Sequence, residues 1–112
     1  MSVQQWNDDT LVVVLEDDPE LSEDFTDITV RLRETPCDVV LDLSSLTLIT
    51  SSGIAKLLRL RKHEIECKRR LLLTSPQDRV WGVLLATGLE SIFEFAETVS
   101  EALVRLESGK PQ

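Results

Sequence analysis

Histidine occurs once in this 112-residue chain, cysteine twice, and glycine and proline four times each. Each scarcity closes off a class. So little glycine and proline excludes collagen-like and low-complexity chains. Cys37 and Cys67 have neither a second pair nor a histidine at metal-ligand spacing, so neither a disulfide scaffold nor a zinc site is expected. Two free thiols in a reducing cytosol are the expectation. No apolar run approaches the roughly 18 residues that a membrane span needs. The leading MSVQQWNDD lacks both the basic and the apolar region of a secretory signal, so the sequence predicts a cytoplasmic chain with no direct membrane insertion.

The motifs of common chemistries are missing too. There is no G-x-x-x-x-G-K-[ST], no G-x-G-x-x-G after a strand and no G-x-S-x-G elbow. His63 stands among charged residues late in a helical pattern and reads as a solvated surface group. The acids Asp17, Asp18 and Glu20 read as charge at a helix N-terminus, where acids are favoured. An enzyme is not expected, nor a cofactor or a metal.

What is present describes one globular domain over residues 1–112, with a core over about 10–106 and a frayed tail at 108–112. Hydrophobic residues make up 42% and charged residues 29%, and a chain of this size can bury about two thirds of its unfolded surface. The net charge of −8 argues against nucleic acid as a direct partner. The charge is unevenly distributed. Residues 1–45 hold twelve acids against Arg31 and Arg33, and residues 46–55 hold no charge. Residues 56–70 carry Lys56, Arg59, Arg61, Lys62, Lys68, Arg69 and Arg70 against Glu64 and Glu66. The one basic stretch adjoins the one uncharged stretch.

Along the chain, Val3 to Trp6 and Thr10 to Leu15 are β-prone runs around the turn cluster Asn7-Asp8-Asp9, a hairpin pattern. Leu21, Phe25, Ile28 and Leu32 form one helical stripe over residues 20–34, closed by Thr35-Pro36. The dense apolar run from Val39 to Ile49 predicts the central strand, centred on Val39 to Leu43. A helix over 53–65 follows, with Ile54, Leu57, Leu58 and Ile65 on its inner side. Leu71 to Thr74 is another buried strand. A helix over 77–86 ends near Thr87-Gly88, as a C-terminal glycine directs. A short strand at Ile92 to Phe95 and a helix over 98–106 complete the pattern. Strands alternating with helices imply an α/β fold: a mixed sheet of four or five strands with about four helices. The expected core is Phe25, Ile28, Val39, Leu41, Leu43, Ile54, Leu57, Leu58, Leu71, Leu73, Val80, Leu84, Phe93 and Leu103.

The junction Thr50-Ser51-Ser52-Gly53 is the most informative segment. One of its three hydroxyls should cap the following helix, a role worth about 1 kcal/mol. The same place suits a phosphate, which would face free backbone N–H groups and the positive end of the helix dipole. Ser52 is read as the residue that ends the strand and caps a helix beginning near Gly53.

The run LDLSSLTLITSSGIAKLLRLRK, with RRLLLTSPQDRVWGVLLATGLESIFEFAETVSEAL after it, resembles the STAS domain, the family of bacterial anti-sigma factor antagonists. The best match lies in Asp42-Leu43-Ser44, Ser51-Ser52-Gly53 and Thr87-Gly88-Leu89 followed by Phe93. The resemblance implies helices mainly on one side of the sheet and a partner-switching role in transcription regulation. In that role the unphosphorylated domain binds an anti-sigma factor that is also a serine protein kinase, and phosphorylation of the serine before the glycine, here Ser52, ends the complex. Thr50 stands where the family usually has Asp, which leaves Ser51 and Thr50 as alternative acceptors. Ser51, Gly53, Lys56, Arg59 and Lys62 are the expected partner-binding residues, on a monomer or weak dimer. The alternative is a STAS accessory subunit, never phosphorylated, that docks on a membrane transporter or lipid-transport ATPase.

Overall fold

The computed structural model describes residues 3–108. Five strands form one sheet in the order β1-β2-β3-β4-β5, with β1 Val3–Asn7, β2 Thr10–Val14, β3 Asp38–Asp42, β4 Leu71–Thr74 and β5 Glu94–Ala96. The first pair is the expected antiparallel hairpin, and every later pair is parallel. The helices are α1 Glu20–Glu34, α2 Ser51–Glu66, α3 Asp78–Ala86 and α4 Val99–Ser108. The fold is the expected mixed α/β one.

Alternation along the strands divides the core. Leu11 and Val13, Val39 and Leu41, and Leu71 and Leu73 point to the face covered by Leu21, Phe25 and Ile28 of α1, Leu57 and Leu60 of α2, and Val80 and Leu84 of α3. Val12, Val40, Leu72 and Ala96 point the other way, onto Ala102 and Leu106 of α4. A sheet covered on both faces needs near-continuous apolar strands, which is how β2, β3 and β4 read. Three helices on one face and one on the other match the expectation of helices mainly on one side.

Five local expectations are corrected. β3 stops at Asp42 rather than running to Ile49, because the Asp42 carboxylate accepts the Ser44 N–H at 2.9 Å and turns the chain. Leu43 and Leu46 remain buried as loop anchors while Leu48 is exposed. β5 begins at Glu94, two residues late, and Ile92 lies exposed behind a 3-10 turn over Leu89–Ser91. On α2 the inner side is Gly53, Leu57, Leu60 and Glu64, so Ile54 is half-buried and Leu58 and Ile65 are exposed. Leu103 is half-buried against the α4 face. Of the expected tail, Ser108 ends α4, and residues 109–112 lie outside the described ones.

The helix ends follow local chemistry. α1 stops at Glu34, before the extended Thr35 and Pro36. Gly88, at φ +74°, takes the left-handed position after α3. Asp18 accepts both the N–H and the hydroxyl of Ser22, which anchors the first turn of α1.

Candidate functional site

The parallel strands all end at one edge of the sheet, and there the β2–α1 and β3–α2 loops meet. Asp17 of the first loop accepts the Thr47 N–H at 2.9 Å and the Thr47 hydroxyl. A longer contact of 3.4 Å joins it to the Leu48 N–H. These bonds, the Thr47 hydroxyl foremost, hold the Asp17 carboxyl below its ordinary pKa of 3.8. Asp17 is thus more than charge at a helix N-terminus: it is the tether of the loop that leads into α2. The tether bridges 30 residues of sequence, so no local pattern could disclose it.

α2 begins at Ser51. Thr50, extended at φ −98° and ψ 169°, is its N-cap, and its Oγ1 accepts the Gly53 N–H at 3.1 Å. The cap is therefore Thr50, and the expectation that Ser52 caps is overturned. Ser52 is the second residue of the helix, and its hydroxyl is not the one that accepts the capping bond. Its Oγ accepts a hydrogen bond from Nζ of Lys56, one turn on, at 2.7 Å. Ser51 and Ser52 are exposed and Gly53 is buried. A Cβ at position 53 would stand 3.4 Å from Cγ1 of Ile49 and 3.7 Å from Cδ2 of Leu21. Both are ordinary contact distances, so the first turn of α2 packs near Leu21 of α1 with room for a methyl at this position.

Beside the cap lies a depression of about 160 Å³ whose walls include Asp17, Asp18, Leu48, Thr50 and Gly53. Two carboxylates from the neighbouring loop therefore share a surface with Thr50.

The tertiary structure separates the basic stretch into distinct tasks. Lys56 and Arg59 face α1. Lys62 is exposed and does not share that surface. Arg61 donates to the Ile92 carbonyl at 3.0 Å. Arg69 lies 3.6 Å from both Asp9 and Asp38, and Arg70 pairs with Glu94. Those three arginines join separate elements of the fold. His63, expected to be solvated, is half-buried with Nε2 3.6 Å from Sγ of Cys67. Both cysteines are free thiols. Among the described residues no group of acids, histidines and cysteines could hold a metal ion, and no helix is long and apolar enough to cross a membrane.

An exposed serine on the first turn of a helix, at the carboxyl edge of a five-stranded mixed sheet, is the arrangement to compare with known proteins. The STAS domain family model matches residues 2–102, and this chain belongs to that family. No curated protein matches. Among solved structures, a candidate anti-sigma factor antagonist from Thermotoga maritima superposes with a TM-score of 0.83 at 19% identity, over 94% of this chain and 92% of that one. SpoIIAA in its unphosphorylated form gives 0.82 at 19% identity over 97% of each chain. A serine-to-glutamate variant of RsbS from Moorella thermoacetica gives 0.81 at 18% identity over 95% and 93%. At these identities the likeness is one of fold.

Proposed function

We propose that this chain is a cytoplasmic regulatory binding module, an anti-sigma factor antagonist that docks on an anti-sigma factor with serine kinase activity and leaves it when Ser52 is phosphorylated. The observation that carries the reading is the division of labour between Thr50 and Ser52. Thr50 supplies the cap, so the exposed Ser52 hydroxyl can be modified without loss of the hydrogen bond that starts α2. A phosphoryl group there adds close to two negative charges beside first-turn N–H groups, a tolerable place for the fold. The partner bears the cost. A surface docked over Ser51 and Ser52 would have to desolvate or repel that charge, weakening the complex by about tenfold or more, or 1.4 kcal/mol.

Lys56 and Arg59 extend the contact surface along α2, with Lys62 at its outer margin, and attraction to an acidic partner mainly speeds encounter. Gly53 is buried and would contribute to that surface only through its backbone. Family membership and the fold shared with SpoIIAA and RsbS support the reading. Thr50 in place of the usual acid favours a second reading, the accessory subunit of a membrane transporter, which needs no kinase.

Incubation with ATP and candidate anti-sigma kinases, followed by peptide mass spectrometry, separates the two. A single phosphate on Ser52 is expected. Phosphate on Ser51 or Thr50 would move the acceptor, and none on the three hydroxyls would leave the second reading standing.

A further inference from the structure

Between α1 and α2 the surface opens into a groove of about 570 Å³. Phe25, Leu32 and Leu60 form its floor, and Arg33, Lys56 and Arg59 stand in its walls with His63. None of its lining residues is acidic, although the chain as a whole carries a net charge of −8. A positively charged strip over an apolar floor, on an acidic protein, has a defined complement.

We infer that this groove seats a short acidic amphipathic helix of a partner protein, and that Lys56 couples its occupancy to the state of Ser52. The coupling rests on the phosphorylation reading above; the docking does not.

The shape argues for a helix. Both walls are helices that follow parallel strands, so they run in the same sense, and no strand edge lies in the lining to which an extended peptide could add. The α1 wall runs from Ser22 to Arg33, about 17 Å at 1.5 Å per residue, or some three turns. A helix laid along it would present its apolar ridge to the floor, as packed helices do. The charge pattern sets the rest. Lys56, Arg59 and His63 follow one another at three and four residues, the spacing at which carboxylates on a facing helix fall in line. A small anion alone would leave the apolar floor unused.

Lys56 supplies the coupling because it belongs both to the groove wall and to the Ser52 hydrogen bond. A phosphoryl group on Ser52 would draw the ammonium into a stronger, charge-assisted bond and place its own charge beside the N-terminal end of the groove. An acidic helix would then meet less positive potential there.

The test uses the full ¹⁵N-labelled chain titrated with a synthetic helix of about four turns, leucine on one face and glutamate on its flanks. One control replaces every glutamate by lysine; a second scrambles the order. Saturable amide shifts centred on α1 and α2 are expected with the acidic helix alone. Arg59→Glu and Arg33→Glu, on opposite walls and both exposed, should each weaken binding about tenfold or more while the melting curve stays native. Ser52→Asp should weaken it as well, and this sensitivity should be markedly smaller in Lys56→Met, where only the direct repulsion by the carboxylate remains; an equal sensitivity in Lys56→Met would overturn the coupling through Lys56. Equal binding of the lysine or scrambled peptide, shifts centred elsewhere, or concentration-dependent self-association mapped to the groove would overturn the docking. Docking unaffected by Ser52→Asp would overturn the coupling. No kinase enters these titrations, so a Ser52 that is never phosphorylated in the kinase assay leaves the docking result intact.

Discussion

The hydroxyl of Thr50 accepts the N–H of Gly53 at 3.1 Å across the first turn of α2, and this bond separates holding the helix from carrying a modification. Thr50→Ala should therefore destabilise the protein by about 1 kcal/mol, the ordinary worth of a cap. Ser52→Ala should stay within about 0.5 kcal/mol of the parent, since an exposed first-turn hydroxyl without a capping bond has little to lose. Thr50→Asp keeps a capping oxygen and should raise the rate of phosphorylation by a cognate kinase. Urea unfolding and a timed kinase assay read these outcomes, and a larger loss from Ser52→Ala than from Thr50→Ala would reverse the assignment.

Asp17 anchors the loop ahead of α2 through its bonds to Thr47, so Asp17→Ala should accelerate amide exchange at Thr47 and Leu48 with little effect on the sheet. The pH dependence has a definite sign. A carboxyl with a lowered folded pKa contributes its tether above the ordinary value of 3.8 and loses it as the pH falls through the lower folded value. Acidification should thus release the same two amides that Asp17→Ala releases, and exchange that stays slow in the variant would show that the loop holds without the tether.

Glu64 of α2 is only 1% exposed, and neither of its carboxyl oxygens has a hydrogen-bond partner. Burial, aided by Asp38 and opposed by Arg69, pushes its pKa from 4.5 up to about 8. The raised pKa means that Glu64 costs the fold least below pH 4.5, where folded and unfolded forms both hold the proton. That cost grows as the pH rises towards 8, because the unfolded chain releases the proton first. Glu64→Gln should come closest to the parent near about pH 4 and exceed it in stability near about pH 9. Chemical unfolding at the two values checks this, and an unchanged difference between parent and variant would refute the buried neutral carboxyl.

Leu41 of β3 is fully buried. Leu41→Ala should cost about 2–5 kcal/mol through lost burial and the cavity left behind. Val104→Ala, on the exposed side of α4, should change stability by less than about 0.5 kcal/mol. Paired denaturant curves give both values.

The sequence by itself determined the strand and helix order and the central place of β3, because these depend on periodicities of two and 3.6 residues that are written locally. The stripe of Leu21, Phe25, Ile28 and Leu32 needed only its spacing. The run after Asp42 misled because loop anchors such as Leu43 and Leu46 are as apolar as strand residues, and composition does not record where pairing ends. Which hydroxyl caps α2 was equally hidden, since Thr50, Ser51 and Ser52 are all competent acceptors and only the backbone torsions choose among them. The tether at Asp17, the orphaned carboxyl of Glu64 and the division of one basic run between ion pairs and a groove were decided by the tertiary structure alone. Each depends on charges and polar atoms brought together from distant parts of the chain, and the energy of such a meeting is set by distance and burial, which a linear pattern does not contain.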